Sequence, residues 1–404
     1  MGQKILKYFF NVLILFLLVY DISINAFPSL TSGRLVVIWL IIFNFKKIKS
    51  LRFDKDWIYF ISFILLILSA SLIQFIYSGD FIQSSRIIWF TIYVLICPIL
   101  VIENFSNLKY FLESFLIITV AQSIIAITAF INPEFKNAIM NLVLIGGNDV
   151  ENVIYRAISF TSTSGAALSV IQFCGIFSGL LLVKYFKASL LNVIVIWLSI
   201  FLTLLSTLII GRTGLLLSLL VIIIFIISTF NIRRIIQFGI LVFIIFQIDF
   251  ISVLESQTTD IKGFKVEFFL NWLEDGFTLK DNNTVNTLNK MPVPELSVYT
   301  MLGTGMVFNK KTGKNESGND SGYIQTYYSL GFILSLFFYT YLLIYLLKKS
   351  GKIVSFNHIL ILLLFLIEFK EPFIFKYVFP FYIVTTLILY KKSSNYFRQE
   401  RMVY

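Results

Sequence analysis

The sequence predicts an all-α polytopic integral membrane protein, and three observations carry that expectation. Of the 404 residues, 58% are hydrophobic and only 14% are charged, a balance that no water-soluble core can absorb. The apolar residues fall in continuous runs of roughly 20, the length of one helical crossing, without the alternation of a membrane β-barrel. Lys and Arg gather in alternate connections between these runs, as the positive-inside rule requires.

Taken in order, the runs at 5–20, 27–45, 57–77, 87–103, 113–131, 165–183, 190–209, 213–230, 234–254, 322–347, 355–369 and 373–390 predict about twelve helices. The first run follows Lys4 and Lys7 as a signal peptide would, but it lacks a small-residue cleavage site, so it reads as a retained helix. With both termini cytoplasmic, the inside segments include "KKIKSLRFDKD" (46–56), "KYFK" (184–187), "KKSGK" (348–352) and "KKSSNYFRQER" (391–401). Together the inside segments hold 19 of the 33 Lys and Arg but only five of the 22 acids. The basic excess is therefore a topology signal, and nucleic acid is not an expected partner.

This arrangement leaves two long outer loops, about 132–164 and 255–321, and divides the chain into 1–254, 255–321 and 322–404. The larger loop contains "IKGFKVEFFLNWLEDG" (261–276), whose helical apolar spacing predicts an amphipathic helix lying over the bundle. No internal repeat is evident. Cys97 and Cys174 lie in apolar runs and the only histidine is His358, so no metal site or other cofactor is expected.

Arg212 is the candidate around which the chemistry is argued. In "STLIIGRTGLLLSLL" (206–220) it is the only charge between Ala188 and Asn231, and a guanidinium at mid-membrane costs at least ~3 kcal/mol. Counted from Lys187 and from Arg233, it falls at a tight turn between two helices at the outer interface, where snorkelling relieves that cost. Two readings stay open: an interfacial anchor, or a ligand-binding cation. Arg34, Arg86, Arg156 and Lys370 also fall near outer helix ends, where the positive-inside rule disfavours cations. A ring of planar donor forks under a polar lid suits an anionic lipid head group, phosphate or pyrophosphate above all.

The second outer constellation is "MLGTGMVFNKKTGKNESGNDSGYIQTYYSLGFILS" (301–335). Its glycines allow tight, closely approaching backbone. It lacks the lysine-serine pair of a nucleotide-binding loop. Asp320 and Tyr323 stand where the chain re-enters the membrane. Asp320 has two readings: an N-cap for the next helix, or a carboxylate that orients or deprotonates a sugar hydroxyl. His358 reads as a helix-end residue on the cytoplasmic side.

These stretches and their topology resemble the Wzy-type polysaccharide (O-antigen) polymerases and the related O-antigen ligases. "STLIIGRTGLLLSL" resembles the family's small-polar-Arg-Thr-Gly-Leu hairpin. "LGTGMVF…NDSGYIQTYYSLGFI" is similar to its Leu-Gly-x-Gly stretch and Tyr-containing helix entry, and "YRAISFTSTSGAALSV" (155–170) to its arginine-containing approach to a mid-chain helix. The resemblance implies a membrane-embedded glycosyltransferase of the GT-C kind in the bacterial inner membrane, with its active site facing the periplasm. Its metal-independent reaction transfers a glycan from undecaprenyl pyrophosphate to the sugar hydroxyl of another lipid-linked repeat unit. By the same resemblance Arg156 and Arg212 clamp the donor pyrophosphate, Asp320 lies near the acceptor hydroxyl, and the partners are the lipid-linked oligosaccharide, membrane lipids and a chain-length regulator. Arg34, Arg86, Tyr323 and Lys265 complete the expected substrate-binding set. Lys262 and Lys265 stand where relatives place an arginine before a tryptophan, here Trp272, and lysine lacks the fork. The ligases' outer-loop histidine has no counterpart near "GNDSGY", which favours polymerase over ligase. A lipid-linked oligosaccharide flippase or another transporter is the competing reading, but almost no charge falls at mid-membrane depth.

Overall fold

Backbone in hydrocarbon must bond to itself, and the described apolar runs do so mainly as helices. The computed structural model describes residues 2–44, 54–105, 107–145, 157–186, 189–229, 290–309, 315–351 and 356–401. In chain order these form α1 (Gly2–Tyr20), a hairpin of β1 (Ser23–Ile24) and β2 (Phe27–Thr31), α2 (Ser32–Phe43), α3 (Lys55–Ser78) and α4 (Ile82–Phe90). A π-helical turn (Thr91–Ile96) joins α4 to α5 (Cys97–Asn104). Then follow α6 (Leu108–Ile131), α7 (Pro133–Leu142), α8 (Gly165–Tyr185), α9 (Leu190–Ile210) and α10 (Arg212–Thr229). The last are α11 (Val298–Leu302), α12 (Gly322–Leu330), α13 (Phe332–Ser350), α14 (His358–Ile367), a 3-10 turn (Phe373–Lys376) and α15 (Val378–Arg401).

Six of the described helices are long and apolar enough to cross a membrane, and four shorter apolar ones accompany them. The protein is membrane-embedded and predominantly helical. Several boundaries differ from expectation. The run at 27–45 opens with a strand, because Ser23 and Ile24 pair with Thr31 and Phe27. The run at 322–347 is two helices, broken at Gly331. The run at 355–369 is helical only over His358–Ile367. The run at 234–254 and the amphipathic stretch 261–276 lie outside the described residues.

The helices gather into two units interleaved in sequence: Met1–Trp39 with Lys109–Leu279, and Leu40–Leu108 with Lys280–Tyr404. In the first, α8 is buried along nearly its whole length and glycines set how closely its neighbours approach. A Cβ on Gly214 of α10 would meet the Ser169 carbonyl oxygen at 2.1 Å, and one on Gly175 would meet Thr119 Oγ1 at 2.1 Å. Small residues at such crossings are how helices pack where water supplies no drive. The extended segment at 157–164 runs among these helix ends. Its backbone is satisfied by Gln122, whose Nε2 donates to the Phe160 carbonyl (2.8 Å) and whose Oε1 accepts from Phe160 N (3.2 Å).

In the second unit, α3 and α13 stack ring on ring, Phe60 on Tyr345 (4.5 Å) and Phe63 on Tyr341 (4.2 Å). Asp54 caps the start of α3 through Trp57 N, and left-handed Gly79 ends it. The ends of these helices sort into two polar clusters. At one, Lys348 pairs with Asp56 (3.1 Å), Lys349 with Asp54, and Ser350 with His358 (2.9 Å). Lys391 of α15 also acts on Asp54 by its charge. The segments that charge counting assigns to one face thus share one end of this unit. The other end gathers the close of α3, the start of α4, the start of α12 and the connection between α14 and α15.

Candidate functional site

This second end is built on a broken helix and a strap across the break. Gly331 (φ 96°) interrupts α12 and α13 and leaves the last carbonyls of α12 without helical partners. The Gly-rich stretch 302–308 supplies them: Thr304 N donates to Tyr328 O (3.0 Å) and Gly305 N to Ser329 O (2.9 Å). Gln74 of α3 donates to both Leu302 O (2.6 Å) and Leu330 O (2.9 Å). The crossing requires glycine, since a Cβ on Gly303 would lie 2.3 Å from the Leu330 carbonyl carbon. Asp80, buried at the turn before α4, anchors the far end of the strap by accepting from Val307 N (3.2 Å) as well as from Ile82 N (3.0 Å).

The strap thereby delivers Phe308 over Arg86, ring centroid 5.4 Å from the guanidinium carbon, while Phe375 of the 3-10 turn covers it at 5.9 Å. Both rings hold the cation by their faces. Arg86 is partly buried, and among the described residues no hydrogen bond or ion pair engages its guanidinium. The two carboxylates that act on it by charge, Glu368 and Asp80, are committed elsewhere. Glu368 is fully buried, accepting from Tyr339 OH on Oε1 (3.0 Å) and from Ile374 N on Oε2 (2.9 Å). Its backbone carbonyl accepts from Gly322 N (2.8 Å), and its carboxyl packs so close to Gly322 that a Cβ there would meet Oε1 at 2.2 Å. Five guanidinium donors with shielded faces and, among the described residues, no bonded carboxylate are chemically suited to a multivalent oxyanion.

Asp320 lies beside this centre, its residue surface open to solvent but its carboxyl partly enclosed. Burial pushes its pKa above the usual carboxylate range, as does the negative charge of Glu371, against the opposing pull of Lys370 and Lys376. Glu371 itself is paired with Lys376. Asp320 is not the N-cap of α12: Ser321 occupies that position, one residue later, and makes no side-chain cap bond. The structure therefore removes the capping reading of Asp320. Tyr323 donates to Phe365 O (2.8 Å) and packs against Tyr339 and Phe369, so its hydroxyl ties α12 to α14.

The second unit thus brings Arg86, Asp320, Tyr323 and Lys370 to one end. The remaining candidates belong to the first unit or fall outside the described residues. Arg34 donates Nη1 to Ser29 O (2.8 Å) and clasps the hairpin to α2. Arg212 is the first residue of α10, directly after Gly211 breaks the chain from α9, so it does stand at a bend between two helices. Arg156, Lys262, Lys265 and Trp272 lie outside the described residues. Glu368, Glu371, Lys376 and Tyr377 were not anticipated. Their signal in the sequence is "EFKEPFIFKY" (368–377), two acids and two lysines around a proline between apolar runs.

Comparison of the chain with models of known protein families, with curated proteins and with solved structures finds no match. What the fold and the site define is a membrane-embedded helical protein with an anion-ready arginine at one end of its second unit.

Proposed function

We propose that the protein is a membrane glycosyltransferase of the polysaccharide-polymerase kind, transferring a glycan from undecaprenyl pyrophosphate to a sugar hydroxyl of a second lipid-linked repeat unit at the periplasmic face of the inner membrane. The observation that carries this reading is Arg86, face-shielded by Phe308 and Phe375 with its donor edges engaged by no carboxylate among the described residues. Such a fork stabilises negative charge as a pyrophosphate leaves. Asp320, its pKa raised by burial and then by the charge of Glu371, is the matching acid-base group for the acceptor hydroxyl. The likeness of "LGTGMVF" and "STLIIGRTGLLLSL" to the polymerase family supports the same assignment, with Arg212 as a further donor-side cation.

The test uses the full-length chain reconstituted in vesicles and supplied with lipid-linked repeat units. Arg86→Gln is expected to lower the rate of chain extension by about a hundredfold, the effect of removing one oxyanion donor. Arg86→Lys should restore only a minor part, because lysine keeps the charge but loses the fork. Wild-type extension by Arg86→Gln would overturn the donor-side role, and translocation of the lipid without transfer would assign a flippase instead.

A further inference from the structure

Two backbone features flank Arg86 that holding the arginine does not require. Tyr377, between the 3-10 turn and α15, has φ 58° and is one of two non-glycine residues with positive φ among the described residues. A side chain with a Cβ is disfavoured there, and such residues persist where the surroundings over-determine them. On the opposing segment, Tyr93 lies in the π-helical turn Thr91–Ile96, a form rare in proteins and concentrated at functional sites.

These two unusual conformations meet in one contact. The Tyr377 ring lies nearly parallel on Tyr93, centroids 5.6 Å apart at 21°, and Trp89, one helical turn before Tyr93, leans against it at 5.9 Å. Tyr93 is buried, whereas Tyr377 and Trp89 keep partial exposure, so the outward side of the stack is theirs. The stack adjoins the cation directly: the Tyr377 hydroxyl reaches the Arg86 carbonyl (3.5 Å), and Phe375, two residues before Tyr377, covers the guanidinium.

We propose that Tyr377 and Trp89, backed by the buried Tyr93, form an aromatic wall that receives the apolar face of a pyranose ring whose phosphate is held by Arg86, making this end of the unit a subsite for a glycosyl diphosphate. The inference rests on the anion role of Arg86. The face of an aromatic ring is electronegative and packs against electropositive C–H edges, which a pyranose presents on its axial faces, leaving the equatorial hydroxyls outward for hydrogen bonds. Trp89 comes from the regular helix α4, whereas Tyr377 sits at a positive-φ residue and Tyr93 in the π-helical turn.

The experiment measures binding by the purified full-length protein in lipid nanodiscs. Its probes are undecaprenyl diphosphate and a panel of undecaprenyl diphosphates carrying one glucose, galactose, N-acetylglucosamine or N-acetylgalactosamine. Wild type is expected to bind at least one glycosylated lipid about tenfold more tightly than the bare diphosphate. Tyr377→Gly accommodates this positive-φ backbone (φ 58°, ψ −41°) and Tyr377→Asn keeps a Cβ there, while both remove the ring, and each should shrink that preference to within about twofold with bare-diphosphate binding retained. Tyr377→Phe keeps the ring and should keep the preference. A preference that survives in the glycine or asparagine variant, or its absence in wild type, overturns the sugar subsite alone. Bare-diphosphate affinity that is absent in wild type, or unchanged in Arg86→Gln, overturns the anion role and the subsite with it. Monodisperse elution and unaltered thermal unfolding of at least one of the two ring-deleted variants establish that the loss is local.

Discussion

Asp320 shows how a single side chain is set by its neighbours. Its carboxyl is raised first by burial and then by Glu371, with Lys370 and Lys376 pulling the other way. A base works only when deprotonated, so extension should fall as the pH drops through this elevated value, which lies above the ordinary carboxylate range. Asp320→Asn should remove that acid limb from the pH–rate profile. Glu371→Gln, which deletes a raising charge, should move the limb to lower pH. An unchanged limb in Asp320→Asn would exclude the base role. Sequence alone marked Asp320 as chemically interesting but also as a cap, because Asp and Ser are nearly equal at that position, and the chain presents both in "NDSGY". One residue of register separates the two roles, and only coordinates fix it.

At the scale of elements, the second unit depends on close backbone passages. Ala at Gly331 suffers both its φ of 96° and a contact of 2.6 Å with the Leu302 carbonyl carbon, and is expected to cost about 2 kcal/mol or more. Ala at Gly322 should displace Glu368 at a cost of about 1–3 kcal/mol. Gly351 is the control for crowding, since its φ of 86° and ψ of 178° are as glycine-only as the backbone of Gly331 yet a Cβ there meets nothing within 4 Å, so Gly351→Ala should cost the backbone strain alone, about 1–3 kcal/mol, and less than Gly331→Ala. Thermal unfolding followed by tryptophan fluorescence ranks the three, and equal losses would refute the role assigned to crowding. The glycine-rich stretch was legible as tightly approaching backbone, but not what it approaches, because the partner carbonyls of Tyr328, Ser329 and Leu330 belong to a helix end created by the Gly331 break. The hairpin at 23–31 escaped notice for a related reason: Phe27 and Leu30 extend the apolar run that follows, and composition does not register pairing.

Across the whole molecule, charge patterning can be read without contacts, since it is a sum over segments. The basic runs at 46–56, 348–352 and 391–401 belong to one face by that count, and Asp54, Lys349 and Lys391 indeed interact at one end of the second unit. Which helices pair to make each end was not legible; it depends on ring stacks such as Phe60 on Tyr345. Cys97 and Cys174 are both fully buried, which leaves a silent background for labelling. In intact spheroplasts a membrane-impermeant maleimide should modify Lys370→Cys and spare Lys392→Cys until the cells are opened. The reverse pattern would invert the topology.

The strap over the broken helix has a consequence for how such a protein changes over time. Its principal bonds join main chain to main chain, Thr304 N and Gly305 N to the carbonyls of Tyr328 and Ser329. Hydrogen bonds of that kind hold a position without regard to which side chain occupies it. The strap is a mounting with an interchangeable fitting: position 308 can take a new residue while its address over Arg86 is preserved. A scan of every substitution along 302–308, read by folding alone, would accordingly find the glycines immovable and position 308 tolerant, so that a lineage could retune the cover over Arg86, and with it what is recognised, without relearning how to fold.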